Sequence, residues 1–153
     1  MKAFRPVVLS SLVLALACVF TAAPASAAES CHKINAKGIG QDLGGERTTA
    51  NISGGGLLNG TTVGNFSVTA LSGTVATIEG TVGFTANKST LTVAVNGTFD
   101  TASGDFNASG PVAASTGKLA GATGNLDLTG KENLADGSFV ETVTGSVCAD
   151  LNS

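Results

Sequence analysis

The chain has 153 residues, with 8 basic and 11 acidic side chains and neither Trp nor Tyr. That length holds one sizeable core, and 12% charged against 42% hydrophobic residues argues against disorder driven by charge. An isoelectric point near 4.9 argues against a nucleic-acid partner, because phosphate binding needs a basic patch, and the 21 glycines lack the every-third-residue period of a collagen-like rod.

Residues 1–27 read as a secretory signal peptide. Lys2 and Arg5 form a basic start, Val7 to Phe20 is a mostly apolar run, and Ala25-Ser26-Ala27 offers the small-x-small pattern of a signal peptidase site. The apolar run is too short to span a bilayer comfortably. A lipoprotein reading would use Cys18 after Ala15-Leu16-Ala17, but the run continues past that cysteine and the Ala-Ser-Ala site fits better. Cleavage after Ala27 leaves a single domain at 28–153, carrying six basic and eleven acidic side chains and expected to be secreted or periplasmic.

Two cysteines remain after that cleavage, Cys31 near one end and Cys148 near the other. Export into an oxidising compartment makes one disulfide between them the plain expectation. Two redox-active thiols would call for a CxxC spacing and a basic cluster, and the chain has neither. His32 lies beside Cys31, yet one His and two well-separated Cys do not make a zinc site. No metal and no cofactor is expected.

From there the pattern is β throughout. No window sustains a 3.6-residue period; short alternating runs rich in Thr and Val are separated by Gly, Asn and Asp. Ala76, Ile78, Gly80, Val82 and Phe84 share one face, with Thr77, Glu79, Thr81 and Thr85 on the other. After a polar turn at Asn87-Lys88-Ser89, Leu91, Val93, Val95 and Phe99 face inward while Thr90, Thr92, Asn96 and Thr98 face outward. That is a hairpin with one wet face. Similar runs predict strands near 33–40, 47–58, 61–71, 74–85, 90–100, 105–113, 124–130 and 138–147. Eight antiparallel strands in this length suit a small closed barrel, which also removes edge strands.

A faint repeat recurs at an offset of 33 residues, where Gly97, Asp100, Gly104 and Phe106 align with Gly130, Asn133, Gly137 and Phe139. The match stops at Gly110, opposite Val143, so shared turn chemistry in two hairpins is preferred to true duplication.

The segments Ala108-Ser109-Gly110-Pro111-Val112, Ser115 to Gly124 and Leu126-Asp127-Leu128-Thr129-Gly130, with Gly137-Ser138-Phe139 and Val143-Thr144-Gly145, form a glycine-rich pattern. This pattern resembles the allene oxide cyclase-like barrels, which include the plant dirigent proteins. Gly54 to Thr62 is similar to uncharacterised secreted members of that group. The resemblance implies an eight-stranded antiparallel barrel, in some members with an apolar cavity for an oxylipin or a phenoxy-radical pair. None of the cyclase catalytic positions is matched residue by residue, and the lack of Tyr departs from a dirigent-type phenolic site.

Motifs for other chemistry fail on their spacing. A phosphate loop ending in Gly117-Lys118 would need Gly at 112 and Ser or Thr at 119, where Val112 and Leu119 stand. Gly38-Ile39-Gly40 begins a dinucleotide fingerprint that Leu43 interrupts. A Ser nucleophile would have only His32 as base, and Asp100 and Asp105 are too isolated for an EF-hand loop. Asn-x-Ser/Thr triplets begin at Asn51, Asn59, Asn65, Asn87, Asn96 and Asn107; a eukaryotic secretory pathway could place glycans on them, but their chance occurrence in a chain rich in these residues is preferred. An outer-membrane barrel would need an aromatic girdle, which five Phe beyond the signal segment do not supply. The same shortage weakens a sugar-stacking platform.

The leading expectation is a soluble, secreted barrel that acts by binding or as a structural surface protein rather than as an enzyme. The alternative is an isomerase or cyclase-like enzyme acting on a small apolar ligand inside the barrel. A filled interior favours the first; a cavity of roughly several hundred Å³ with a buried carboxylate favours the second. Glu141 is the candidate for that carboxylate. Strict alternation sets it with Phe139, Val143 and Val147 on one face, whereas a local bulge or reversed register would turn it to solvent and put Val140 inside; the outward arrangement is preferred, because Val140 offers the backbone an easy alternative.

Overall fold

The alternating runs become eight antiparallel strands that close on themselves. The computed structural model describes residues 29–151, so the signal-peptide segment and Cys18 lie outside the described residues. The strands are β1 (Ser30–Asp42), β2 (Arg47–Ser53), β3 (Gly60–Ser72), β4 (Val75–Ala86), β5 (Ser89–Asp100), β6 (Asp105–Thr116), β7 (Thr123–Glu132) and β8 (Ser138–Ala149). Each pairs with the next, and β8 pairs with β1 from Ser30 opposite Ala149 to Gln41 opposite Ser138. Closure pairs the backbone groups that an open sheet would leave at its edges.

Side-chain period two then fixes what lies inside. Val82 and Phe84 of β4, Leu91, Val93 and Val95 of β5, Leu126 of β7 and Val143 and Val147 of β8 are buried, while Thr77, Glu79, Thr81, Thr85, Thr90 and Asn96 are exposed. The turn between β4 and β5 is tighter than expected. Asn87 and Lys88 both take positive φ, 48° and 65°, as a two-residue hairpin turn matched to strand twist requires, and Ser89 already belongs to β5.

One predicted strand is shorter than its run. β2 stops at Ser53 instead of continuing to residue 58, because Gly54 and Gly56 take φ of 78° and 59° and turn the chain into a 3-10 turn at Gly56–Leu58. This turn tucks Leu58 into the base of the barrel. A second 3-10 turn, Gly117–Leu119, brings Leu119 to the same end, with Lys118 exposed to solvent. The base is therefore plugged by two leucines from two loops. Both are buried against the strand residues above them.

At this plugged end Cys31 and Cys148 face each other in register and form a disulfide, 117 residues apart in sequence. The bond fastens the one strand pair whose members are distant in the chain. Constraining so long a loop in the unfolded chain contributes roughly 4–5 kcal/mol in the chain-entropy account. Replacing both cysteines by Ser should therefore lower the melting temperature by roughly 10 °C or more while keeping the β-rich circular dichroism spectrum. Two free thiols in the mass of the oxidised wild-type protein would remove the basis for this expectation.

Candidate functional site

The barrel is filled at the base and hollow at the opposite end. There the turns β1–β2, β3–β4, β5–β6 and β7–β8 surround a mouth leading into a cavity of about 310 Å³, lined by residues from all eight strands. Its walls are mainly apolar, with Val82, Ala108 and Leu128 toward the interior and the partly exposed Val68 and Leu134 at the rim. Of the five phenylalanines among the described residues, four line it: Phe66, Phe99, Phe106 and Phe139. The fifth, Phe84, is in the packed core.

Two of these rings are delivered by the 33-residue repeat. In the β5–β6 turn, Asp100 accepts hydrogen bonds from the N–H of Gly104 on its carbonyl (2.8 Å) and of Ala102 on its carboxylate (2.9 Å). In the β7–β8 turn, Asn133 does the same for Gly137 (2.8 Å) and Ala135 (3.1 Å). Gly104 and Gly137 take φ of 77° and 72°, a region open to glycine at little cost. Each turn launches a strand whose Phe lies two residues further on, and Phe106 and Phe139 meet edge to face with centroids 5.7 Å apart. The repeat is thus one turn chemistry used twice to build one wall of the cavity.

Glu141 lies inside. β8 pairs without a slip on both flanks, with Gly38 of β1 and Gly130 of β7 opposite Glu141, so strict alternation holds. The bulge that would have turned it outward is absent from these pairings, and Val140 is the outward residue at 60% exposure. Glu141 is 8% exposed and its side chain lines the cavity. Gly38 makes room for it: a Cβ there would sit 2.5 Å from the Glu141 Cγ and 2.6 Å from Oε1. No hydrogen bond or ion pair among the described residues engages the carboxyl group. Burial, with nothing to offset it, pushes its pKa up to about 7.

Three further carboxylates line the cavity, Asp42 at the end of β1, Glu46 in the following turn and Glu132 at the end of β7. Burial holds the Glu132 carboxyl above the ordinary carboxylate range, and the negative charge of Asp42 adds to the effect. The Glu46 carboxylate accepts a hydrogen bond from the Val68 N–H, and its carbonyl accepts one from Phe66, beyond the point where β2 ceases to pair with β3. Among the described residues no Lys, Arg or His lines the cavity.

The remaining sequence candidates fall elsewhere. His32 sits at the plugged end against Ser30, and among the described residues no group of three His, Cys, Asp or Glu side chains is placed to hold a metal ion. Asp105 pairs with Lys131 on the exterior, with N–O at 3.0 Å. All six Asn of the Asn-x-Ser/Thr triplets are exposed. Sequence reasoning singled out Glu141 and the inward Phe99 but missed the acidic rim, since Asp42, Glu46 and Glu132 stand at strand ends and in a turn, where alternation carries no information. The repeat held a usable signal, because it aligned Phe106 with Phe139. No protein-family model matches the chain, and a search of curated proteins finds no similar sequence.

Because folding raises the Glu141 pKa from an ordinary 4.5 to about 7, the native state is fully favoured by this group below pH 4.5 and loses that contribution as pH rises to about 7. Between those values the unfolded chain ionises and the folded one does not. Glu141→Gln should therefore lose this part of the pH dependence, gaining roughly 3 kcal/mol relative to wild type across the window. Urea unfolding at pH 4.5 and pH 7.5 measures the difference; parallel curves for the two proteins would contradict it.

Proposed function

We propose that the protein binds a small, largely apolar molecule in the mouth of its barrel. The observation that carries this reading is the cavity itself, about 310 Å³, floored by packed core and walled by four of the five described phenylalanines. Pockets of this size and character are where proteins enclose small ligands. A purely structural barrel of this size would gain from filling that space, since each missing contact costs packing energy. The resemblance of the glycine-rich β6–β7 region to allene oxide cyclase-like barrels, some of which hold a ligand in an apolar cavity, supports the same reading.

The setting proposed is an exported protein in an oxidising compartment, which the Cys31–Cys148 disulfide supports. Among the described residues no helix is long and apolar enough to cross a membrane. The outward face of the β4–β5 hairpin is mainly Thr and Asn, and the four cavity phenylalanines are used inside the barrel, which favours a water-facing exterior over a lipid-facing one.

A second reading, an isomerase acting on the bound molecule, is favoured by Glu141 alone. An unpartnered carboxyl with a pKa about 7 in an apolar cavity is suited to remove a proton from a carbon acid and return it elsewhere on the same molecule.

The binding reading is tested with the neutral fluorophore N-phenyl-1-naphthylamine. Saturable one-to-one binding with enhanced emission is expected, and Ala108→Leu, which grows a side chain into the cavity, should weaken it about tenfold or more. Absence of saturation, or binding that ignores Ala108→Leu, would sink the reading.

A further inference from the structure

The cavity's charge is as informative as its volume. Its depth holds Glu141, 8% exposed and without a partner, and its rim holds Asp42, Glu46 and Glu132. A carboxylate so little exposed is stabilised by an opposite charge, and among the described residues no Lys, Arg or His lines the cavity. The cations on nearby segments are directed elsewhere, with Lys131 paired to Asp105 outside the barrel and Arg47 exposed on β2 beside the inward Thr48. Around the same space stand the rings of Phe66, Phe99, Phe106 and Phe139. Aromatic rings attract cations through their negative faces while also accepting hydrocarbon, so they suit a ligand that carries both.

Resting on the binding reading above, we propose that the ligand is an organic cation, an ammonium or substituted ammonium group on an apolar body, whose charge is received by Glu141 within the phenylalanine walls. The missing positive charge of the site is brought by the ligand. A cationic ligand is drawn in past the acidic rim, whereas an anionic headgroup would meet like charge at the rim and again at depth. Like charges at the rim are tolerated in the free protein because Asp42 and Glu46 reach solvent; Glu141, 8% exposed, is largely withdrawn from it.

The proposal has a pH signature. The charged groups that share the cavity with Glu141 are Asp42 from β1, Glu46 from the β1–β2 turn and Glu132 from β7, all acidic, while β2 and β3 contribute the hydroxyls of Thr48 and Thr62. Binding a permanent cation favours the ionised carboxyl, so affinity should rise as pH approaches 7 from below and level off above it.

The experiment compares two molecules of one shape, benzyltrimethylammonium and its uncharged isostere neopentylbenzene, by calorimetry and by displacement of N-phenyl-1-naphthylamine from the oxidised protein. The cation should bind about tenfold or more tightly than the neutral isostere at pH 7.5. Glu141→Gln should bring the two to within about threefold and flatten the rise with pH. If the neutral molecule binds as well as the cation, the cation proposal falls while the cavity reading stands. If neither binds, and the fluorophore does not bind either, both fall. A preference that survives intact in Glu141→Gln would overturn the role given to that residue. The wild-type comparison decides the ligand's charge whether or not the variant folds.

Discussion

The structure depends on the pairing of β8 on both of its edges. Between β7 and β1 every residue from Phe139 to Val147 has a partner on each side, and no slip occurs along either seam. In a sheet of period two, that double clamp leaves no freedom over which side chains are inside. Turning Glu141 outward would require either a bulge that opens one of the two ladders or a shift that carries Phe139, Val143 and Val147 into water with it. Burying those three outweighs keeping one carboxyl hydrated, so the acid is carried into the barrel by its neighbours.

Closure also explains how the interior divides. The base receives the two 3-10 turns, the end of β8 and the disulfide, and there are enough leucines and valines to fill it. The mouth receives four turns that supply mostly small and acidic residues, and none of these turns folds back over the opening. Space is left where the phenylalanines of β3, β5, β6 and β8 line the interior. The repeated Asp/Asn turn matters here because it sets two of those rings against each other at a right angle. A ring pair held edge to face resists collapsing into the void that it borders.

Much of this was legible in the amino-acid order. Alternation in 76–85 and 90–100 identified the inward set of the central hairpin, and eight such runs implied a closed barrel. The pairing of Cys31 with Cys148 follows from assigning Cys18 to a cleaved signal segment and from an oxidising compartment. Three features were not legible, each for a physical reason. The end of β2 depends on the backbone freedom of Gly54 and Gly56, which side-chain patterning does not register. The orientation of Glu141 was open because Val140 beside it offered an apolar alternative, and only the pairing on both flanks decides between them. The acidic rim is a product of where strands end, so Asp42, Glu46 and Glu132 converge in space with no common period in the chain.

The shortness of β2 has a consequence for traffic. β3 runs on to Ser72 while its partner begins at Arg47, so from Phe66 onward β3 has no strand beside it on that flank. Among the described residues only Glu46 reaches across, through its carbonyl to Phe66 and its carboxylate to Val68. The barrel wall therefore has a side notch running down from the mouth, latched by a single acidic residue that also borders the cavity. Opposite it, the wall of Phe106 and Phe139 is braced by two fully hydrogen-bonded turns. A guest longer than the cavity is deep would extend its tail through this notch, with its head on the rigid wall and its tail along the exposed apolar edge of Val68 and Leu71. Chain length would then be selected loosely at one end of the guest and chemistry strictly at the other.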